Sequence, residues 1–379
     1  MKKKILVWET LGIVSGGQKM TLAVMDMLAE EYDFHCLIPT EGALAEELKK
    51  RNISYTLLGD QTMPTGVKGK SVIFRYALLT MKAVFAGLKA VRKEKADIIY
   101  APGPAALPWS GIVGLLKHKP VVWHLHHVFL DGATKKLLNL CSGFKAVKKI
   151  IAVSACVGDQ MEKPKGKAKV EVIYNPVDFE RFSSGNAKKI IDELKLNKEE
   201  EKIITHIGLL QPTKRQPFVL EMLANLVAEG HCIRGLFVGR ARDEDAAYAN
   251  NLKKQAAELG LAEKVHFLGQ RSDVPDILAA SDLVIVPSIE GLSLAAMEAE
   301  AASVPVIACD KAGVCELIEM SGGGCTFDSD SAKDAAEKAL LVIENKAQYI
   351  ENGVQFARNC SYDSYKNHAL ELFENVVEK

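Results

Sequence analysis

Two carboxylates stand eight positions apart in the stretch from Pro287 to Cys309, on either side of a small-residue turn. Glu290 follows the apolar run Leu283–Val286, and Glu298 lies in the helix-forming segment behind the turn. A carboxylate accepts paired hydrogen bonds and suits the neighbouring hydroxyls of a ribose or a sugar ring. Two such groups near a core also need partners, because burying an unpaired charge is costly. The spacing indicates a ligand site, although alone it fits two unrelated surface carboxylates equally well.

Three further segments are suited to holding an anion. The backbone N–H groups of Gly291, Leu292 and Ser293 stand at a helix start, where they can bind a phosphate. Lys214 follows a strand and precedes a helix, so it can point at the same anion or be a solvated loop cation. The pair Gly16–Gly17 follows the first strand and permits close backbone approach to a ligand. It lacks the G-x-G-x-x-G spacing of a dinucleotide site, and the alternative is a flexible turn without a ligand.

Three histidines end a strand that begins near Val121. Strand alternation places His124 and His126 on one face and His127 on the other. A histidine at a strand end is suited to substrate contact and to proton transfer near neutral pH. The H-x-H spacing also suits a metal, but the sequence offers no evident third ligand, so we expect none.

Apolar strands alternate with helical patterns through most of the chain, which predicts an α/β fold with parallel sheets. A polar, charged segment, Ser183–Glu201, interrupts the pattern, which then restarts with Ile203–Leu210. From Ala332 onward, three helices are expected. We therefore predict two doubly wound domains in series, with a ligand in a cleft beyond the carboxyl ends of their strands.

Composition excludes several classes of protein. The 379 residues are 48% hydrophobic and 25% charged, as in soluble globular proteins. No apolar run reaches the 18 residues of a membrane span, and the run near the N-terminus is too short for a signal peptide. Eight scattered cysteines without C-x-x-C spacing argue against a zinc site or a disulfide framework. We expect a cytoplasmic protein.

The net charge of zero conceals an asymmetry between the two halves. Residues 1–180 contain 26 Lys and Arg against 17 Asp and Glu, whereas residues 181–379 contain 22 against 31. A basic half suits an anionic membrane surface or an anionic substrate, and equally a solvated lysine-rich face. No nucleic-acid partner is expected.

Taken together and in order, these residues resemble the retaining glycosyltransferases of family 4, which have the GT-B fold of two Rossmann-like domains facing across a cleft. The family's paired-glutamate signature corresponds to Glu290 and Glu298. Its linker phrase resembles Ile173–Phe182, and its A-G-G-x-x-E stretch resembles Ala312–Glu316. Leu209 stands where the family usually has an arginine that shares the diphosphate with the lysine, so Arg215, Arg240 or a basic residue of the first domain would have to compensate.

The resemblance implies a division of labour in the site. Glu298 would bind the ribose of the donor, Glu290 would bind its sugar, and Lys214 would bind its diphosphate. His126 would lie near the transferred sugar, and Arg271 would border the base. The implied catalytic residues are His126, Lys214 and Glu290. The implied donor-binding residues are Gly16, Gly17, Gly208, Lys214, Arg271, Glu290, Gly291, Leu292, Ser293, Leu294 and Glu298.

The resemblance also implies the domains and the reaction. The first domain would span 1–182, completed by a C-terminal helix at 361–379, and the second would span 183–360. The chain would move a sugar from a UDP-sugar, or less typically a GDP-sugar, to a glycan, lipid-linked or small-molecule acceptor with retention. No bound cofactor or metal would be required. The chain would work in the cytoplasm or peripherally at the inner face of the membrane. The alternative is a non-catalytic, two-lobed protein that binds nucleotide-sugars.

Overall fold

The computed structural model describes residues 2–59 and 70–377, and the chain divides into two compact units. The first unit is Met1–Asn175 together with Asp363–Lys379, and the second is Pro176–Tyr362. The sequence-based limits of 1–182 and 183–360 stay a prediction. Contacts within each unit place the boundary between Asn175 and Pro176, a few residues before the predicted one.

The first unit is built on a seven-stranded parallel sheet with the order β3-β2-β1-β4-β5-β6-β7. Its strands are β1 (Lys3–Trp8), β2 (Tyr32–Ile38), β3 (Ser54–Leu57), β4 (Ile98–Ala101), β5 (Val121–Leu125), β6 (Val147–Ala152) and β7 (Val170–Val172). Its helices are α1 (Gly16–Leu28), α2 (Ala43–Lys50), α3 (Lys70–Glu94), α4 (Ala106–Lys117), α5 (Gly132–Ser142), α6 (Ala155–Gly158) and α7 (Pro164–Lys167).

The second unit is built on a six-stranded parallel sheet with the order β10-β9-β8-β11-β12-β13. Its strands are β8 (Lys202–Ile207), β9 (Ile233–Val238), β10 (Val265–Gly269), β11 (Leu283–Val286), β12 (Val306–Cys309) and β13 (Gly324–Phe327). Its helices are α8 (Phe179–Ser183), α9 (Ala187–Leu194), α10 (Gln216–Ala228), α11 (Ala246–Glu258), α12 (Val274–Ala280), α13 (Leu294–Ala301), α14 (Ala312–Ser321), α15 (Ala332–Glu344) and α16 (Lys346–Asn359). Two short 3-10 turns lie at Pro212–Lys214 and Asp243–Asp245.

Both sheets are doubly wound, as predicted. In each, the chain adds two strands on one side of its first strand and then returns to add the rest on the other side. The direction changes between β1 and β4 in the first unit and between β8 and β11 in the second. At each of these points, the loops that follow the two neighbouring strands run in opposite directions from the carboxyl ends of the strands. This opens a crevice suited to a ligand.

The last helix, α17 (Tyr362–Val377), packs into the core of the first unit although it follows the second unit in the chain. The Phe373 ring is fully buried, with ring centroids 6.1 Å from Tyr32 and 5.6 Å from Tyr100. Leu372 and Val376 are buried in the same cluster. The first unit therefore depends on residues from both ends of the described chain.

A buried carboxyl in α13 predicts that the stability of the second unit depends on pH. Glu300 is 1% exposed, and the Ser321 hydroxyl donates to its Oε1 at 2.5 Å. Burial raises the pKa of Glu300 from its ordinary 4.5 to about 8. Between those values the folded chain holds a proton that the unfolded chain has lost. The free energy of unfolding therefore falls as pH rises, by up to about 1.4 kcal/mol per pH unit.

Glu300→Gln should remove most of this decline, because the glutamine amide does not ionise. Thermal unfolding at intervals from pH 5 to pH 8.5 measures the effect. Glu337→Gln, at a position of α15 whose side chain is 62% exposed, is the matched control and should retain the wild-type slope. A Glu300→Gln variant that loses stability with pH as steeply as the wild type would contradict the assignment.

Candidate functional site

Lys214 and Glu290 form an ion pair at the point where the second sheet changes direction. Lys214 ends the 3-10 turn that follows β8, and Glu290 follows β11, the neighbouring strand. Lys214 Nζ lies 2.6 Å from Glu290 Oε1, and the two side chains are 25% and 19% exposed. The two residues are 76 positions apart in the chain, and the strand order brings them together. The sheet thus places a cation and a carboxylate, both accessible, at its ligand-binding edge.

Contacts on both its backbone and its side chain hold Glu290. The backbone N–H of Gly313 donates to the Glu290 carbonyl at 2.9 Å, which ties this loop to the start of α14. The Ser288 hydroxyl donates to the same Oε1 that Lys214 contacts. A carboxylate oxygen that accepts two hydrogen bonds has a fixed direction, so the group is oriented before any ligand arrives.

Gly208 gives the stem of Lys214 a flat backbone to lie on. A Cβ at Gly208 would lie 3.4–3.5 Å from three methylene carbons of Lys214. The next strand end approaches as closely, because a Cβ at Gly239 would lie 1.9 Å from the Gly208 carbonyl oxygen. Gly239 also has a φ of +148°, which favours glycine. Both glycines therefore help to position the Lys214 side chain.

A network of buried polar side chains fixes the loop between β8 and α10, which carries Lys214. Burial lowers the pKa of His206 to about 4, so its ring is neutral near pH 7. The ring nitrogen Nδ1 donates to the Ile285 carbonyl at 3.1 Å, which leaves Nε2 to accept from the Gln216 amide at 3.3 Å. That amide also donates to the Leu209 carbonyl at 2.8 Å, and the Tyr248 hydroxyl donates to Gln216 Oε1.

His206 and Gln216 are not among the residues predicted from the sequence. The histidine stands within an apolar strand and the glutamine at the start of a helix, and neither belongs to a motif that predicts a site. His206 stands near the carboxyl end of β8 and Gln216 opens the next helix, α10, and this placement around the loop that carries Lys214 is the signal that could have identified them.

The turn after Glu290 and the helix behind it supply backbone donors. Gly291, Leu292 and Ser293 are buried, and the Ser293 hydroxyl caps α13 by accepting from the Ala296 N–H at 3.3 Å. Leu294 is the first residue of α13. Backbone N–H groups at the start of α13 and the positive end of its helix dipole meet at this turn, which suits it to an anion. Glu298 lies one turn into the same helix and is partly exposed.

Arg215 and Arg240, the two candidates in this unit for the missing cation at Leu209, differ in availability. Arg215 donates to the Pro287 carbonyl at 3.2 Å and to the Ser329 carbonyl at 2.6 Å, so it joins two strand-end loops. Arg240 is exposed at the carboxyl end of β9, and its backbone carbonyl accepts from the Leu210 N–H at 3.0 Å. The structure therefore leaves Arg240 as the better placed of the two for an anion.

Arg271 is held by two carboxylates. It follows β10, at the edge of the same sheet, and pairs with both Glu193 and Asp273 at 2.7–2.8 Å. Hydrogen bonds from Arg271 hold the pKa of Asp273 well below its ordinary value. In this structure Arg271 lies two strands from Lys214 and fixes the start of α12.

A second set of the predicted residues lies at the direction change of the first sheet. Gly16 and Gly17 begin α1, directly after the loop that leaves β1. Below them, fully buried Glu9 accepts from Gln18 Nε2 at 3.2 Å and from the Thr21 hydroxyl at 2.7 Å. Burial raises the pKa of Glu9 above its ordinary value. Glu9, which sequence analysis missed, ties the strand end to the first turn of the helix.

His126 lies against Gly17 and stacks on His124. A Cβ at Gly17 would lie 3.8 Å from the His126 ring, and the rings of His124 and His126 have centroids 3.9 Å apart. The predicted common face of these two histidines is confirmed. Nδ1 of His124 lies 2.5 Å from the Tyr100 hydroxyl. Burial lowers the pKa of His124 to about 3 and that of His126 well below its ordinary value, so both rings are neutral.

The His126 ring therefore offers a hydrogen bond rather than a charge. Its Nε2 is covered and has no hydrogen-bond partner among the described residues. An unsatisfied buried nitrogen next to a glycine turn suits a ligand hydroxyl. As for metals, residues 2–59 and 70–377 contain no group of three or more His, Cys, Asp or Glu that could hold one.

Two family models match consecutive parts of the chain. The model described as Glycosyltransferase Family 4 matches residues 14–181, and the model described as Glycosyl transferases group 1 matches residues 187–365. Each match falls mainly on one of the two units.

Two curated relatives and a solved structure match different shares of the chain. UDP-Gal:alpha-D-GlcNAc-diphosphoundecaprenol alpha-1,3-galactosyltransferase of Escherichia coli is 25% identical over 379 residues, which cover 95% of this chain and 91% of that protein. D-inositol 3-phosphate glycosyltransferase of Mycobacterium marinum is 34% identical over 150 residues, 39% of this chain and 31% of that protein. The crystal structure of Anabaena HepE in complex with UDP has a TM-score of 0.82 at 21% identity and covers 98% of this chain and 100% of that chain. At that identity the likeness establishes the fold.

Proposed function

The chain belongs to the retaining glycosyltransferases of family 4 and has the predicted GT-B fold, and from this premise we propose that it transfers a sugar from a UDP-sugar to a lipid-linked acceptor. One observation carries the donor site: the Lys214–Glu290 pair stands beside the N-terminus of α13 at the direction change of the second sheet. A cation, a carboxylate and a helix N-terminus together match a diphosphate that carries a sugar.

Lys214 would act on the leaving group. As the bond between the sugar and the diphosphate breaks, negative charge grows on the diphosphate oxygens, and a cation fixed in place stabilises that charge. The N–H groups at the start of α13 would add to the effect. Glu290 holds the ammonium until a donor binds and would then be free to accept hydroxyls of the sugar.

Further residues of the two units would complete the binding of the donor and acceptor. We assign Glu298 to the ribose hydroxyls, because a carboxylate accepts from both at once. Arg240 would replace the cation that Leu209 cannot supply. Arg271 would border the base while it stays paired with Glu193 and Asp273. Gly16, Gly17 and neutral His126 would receive a hydroxyl of the transferred sugar or the acceptor at the first unit.

The acceptor proposal is supported by one relative. The Escherichia coli galactosyltransferase takes its name from a diphosphoundecaprenol acceptor, and it matches 95% of this chain. A lipid-linked acceptor would bring the chain to the inner face of the membrane, on the cytoplasmic side. None of the helices formed by residues 2–59 and 70–377 could span a membrane.

Nucleotide binding is the simplest test of the donor site. We expect UDP to raise the unfolding temperature more than GDP or ADP, because the nucleotide that binds most tightly stabilises the folded chain most. A ligand at a hundredfold excess over its Kd stabilises the folded state by about 2.7 kcal/mol. Glu298→Ala should weaken UDP binding by about 10- to 100-fold in calorimetry, through the loss of two hydrogen bonds to a charged group. Glu221→Ala, on the exposed face of α10, is the matched control.

These measurements test the choice of nucleotide and the role of Glu298 separately. A larger shift with GDP or ADP than with UDP would reject the nucleotide assignment alone. Wild-type UDP affinity in Glu298→Ala would reject the role of that residue.

Leu209 favours a second candidate, a protein that binds nucleotide-sugars without transferring them. The residue deprives the diphosphate site of an arginine. Release of UDP from a UDP-sugar, measured with and without a polyprenyl-diphosphate-linked sugar, decides between the two functions. Turnover that depends on the acceptor supports transfer, whereas tight donor binding without any turnover supports the second candidate.

A further inference from the structure

The outer face of α3 carries apolar side chains that the core of the first unit leaves uncovered. Leu78, Met81 and Phe85 are 43%, 64% and 73% exposed. Their spacing of three and four residues puts them in one line along the helix, here called the α3 row. Single exposed apolar residues are ordinary in soluble proteins, but a continuous line of them indicates a contact surface.

Packing on the opposite face fixes the direction in which the α3 row points. A Cβ at Gly87 would lie 2.6 Å from the Trp8 ring and 3.0 Å from a Val113 methyl group, so α3 lies tightly against β1 and α4 here. Ala83 and Ala90, on the same side of the helix, are buried. Since the α3 row lies about half a turn away from Gly87, it faces outward from this unit.

Basic side chains continue the row toward the end of the helix. Lys89 and Arg92 follow Phe85 in steps of four and three, and both are exposed. Lys82 and Lys93 stand exposed beside the line. No Asp or Glu occurs anywhere from residue 71 to residue 93. This surface is therefore positive as well as apolar.

A shallow groove of about 540 Å³ extends the surface between the ends of α3 and α4. Its lining combines two apolar side chains with four basic ones: Phe85, Leu88, Lys89, Arg92, Lys93 and Lys117. Leu116, the neighbour of Lys117, is 60% exposed. No carboxylate lines the groove, so it complements a partner that is anionic at its surface and apolar beneath.

We propose that the α3 row and its basic extension dock on an anionic lipid bilayer. The apolar side chains enter the boundary between headgroups and acyl chains, and the cations pair with lipid phosphates. A second copy of the chain would bring like charges together, which opposes self-association through this face. The inference extends the proposed function, because it supplies the surface by which the chain would reach a lipid-linked acceptor.

Vesicle sedimentation tests the surface without any need for activity. The full chain should bind vesicles of phosphatidylcholine mixed with phosphatidylglycerol, bind pure phosphatidylcholine much less, and release as salt rises. The double variant Met81→Ser with Phe85→Ser should lower the binding constant at least tenfold, since two exposed apolar anchors are lost. Lys89→Ala with Arg92→Ala should lower it by about fivefold per charge removed.

Matched controls come from the second unit. Leu341→Ser, at an apolar position that is 43% exposed, and Lys333→Ala, whose side chain is 74% exposed, should bind vesicles as the wild type does. UDP binding, measured in parallel, should be unchanged in every variant, so failure of the donor site is seen separately from failure of the surface.

Three outcomes overturn the proposal. The first is wild-type binding that is equal for neutral and anionic vesicles, or absent from both. The second is binding by the α3 variants that is as tight as binding by the controls. The third is self-association of the wild type in gel filtration, lost in the double variant Met81→Ser with Phe85→Ser, together with absent vesicle binding, which assigns the surface to a second copy.

Discussion

Replacing Lys214 by alanine is expected to lower the rate of sugar transfer by about 10²- to 10³-fold, the usual cost of removing one fixed donor from a developing negative charge. The loss should fall on kcat more than on KM, because the charge on the diphosphate is greatest in the transition state. Initial rates of UDP release with saturating acceptor measure the effect.

The fold should survive the Lys214 change, since the lysine is partly exposed and lies at the carboxyl edge of the sheet. Lys214→Arg keeps the positive charge but alters its geometry, so it should recover part of the rate. Lys333→Ala on α15 controls for the loss of a lysine elsewhere in the unit. Wild-type kcat in Lys214→Ala, with normal UDP binding, would remove the residue from the mechanism.

Replacing Glu290 by glutamine is expected to lower transfer by about 10²-fold, for a different reason. The amide has nearly the same shape as the carboxylate, but it accepts through one oxygen only and carries no charge to orient the ammonium 2.6 Å away. Steady-state kinetics with the donor varied should show the loss in kcat/KM, because Glu290 contacts both the lysine and, by our assignment, the sugar.

A double-variant cycle tests whether the two residues act together. If Glu290 works partly by placing Lys214, the double variant should lose much less activity than the product of the two single losses. Glu221→Gln on α10 is the control for charge. Fully multiplicative effects would show that the ion pair in the structure has no part in catalysis.

The alternation of strands and helices could be predicted from sequence because most strands are short and largely apolar, and the central ones, such as β5, β11 and β12, are buried throughout. The helical pattern of Val72–Lys93 predicts the long helix α3, which runs from Lys70 to Glu94. By contrast, the pattern over the segment that forms α4 does not predict a helix. Pro108 obscures the pattern although its place in the first turn is tolerated. Gly114, where a Cβ would lie 2.4 Å from a Val121 methyl group, serves close packing.

The candidate site was predictable in its local parts and not in its long-range ones. The spacing of Glu290 and Glu298 around a turn is local, and the structure puts them after β11 and on α13 as expected. The direct bond between Lys214 and Glu290 depends on β8 and β11 being neighbours, which no local pattern reveals. The pairing of Arg271 with Glu193 likewise joins residues 78 positions apart.

The return of α17 to the first unit has a consequence for synthesis of the chain. Domains fold as they emerge from the ribosome, in order from the N-terminus. Here the second unit, Pro176–Tyr362, is contiguous and has its whole core before the first unit does. Until Phe373 is synthesised, the space beside Tyr32 and Tyr100 in the core of the first unit stays unfilled, so this unit cannot complete its folding. The earlier-translated half is thus the later one to finish folding, and the stretch most exposed to chaperones and proteases.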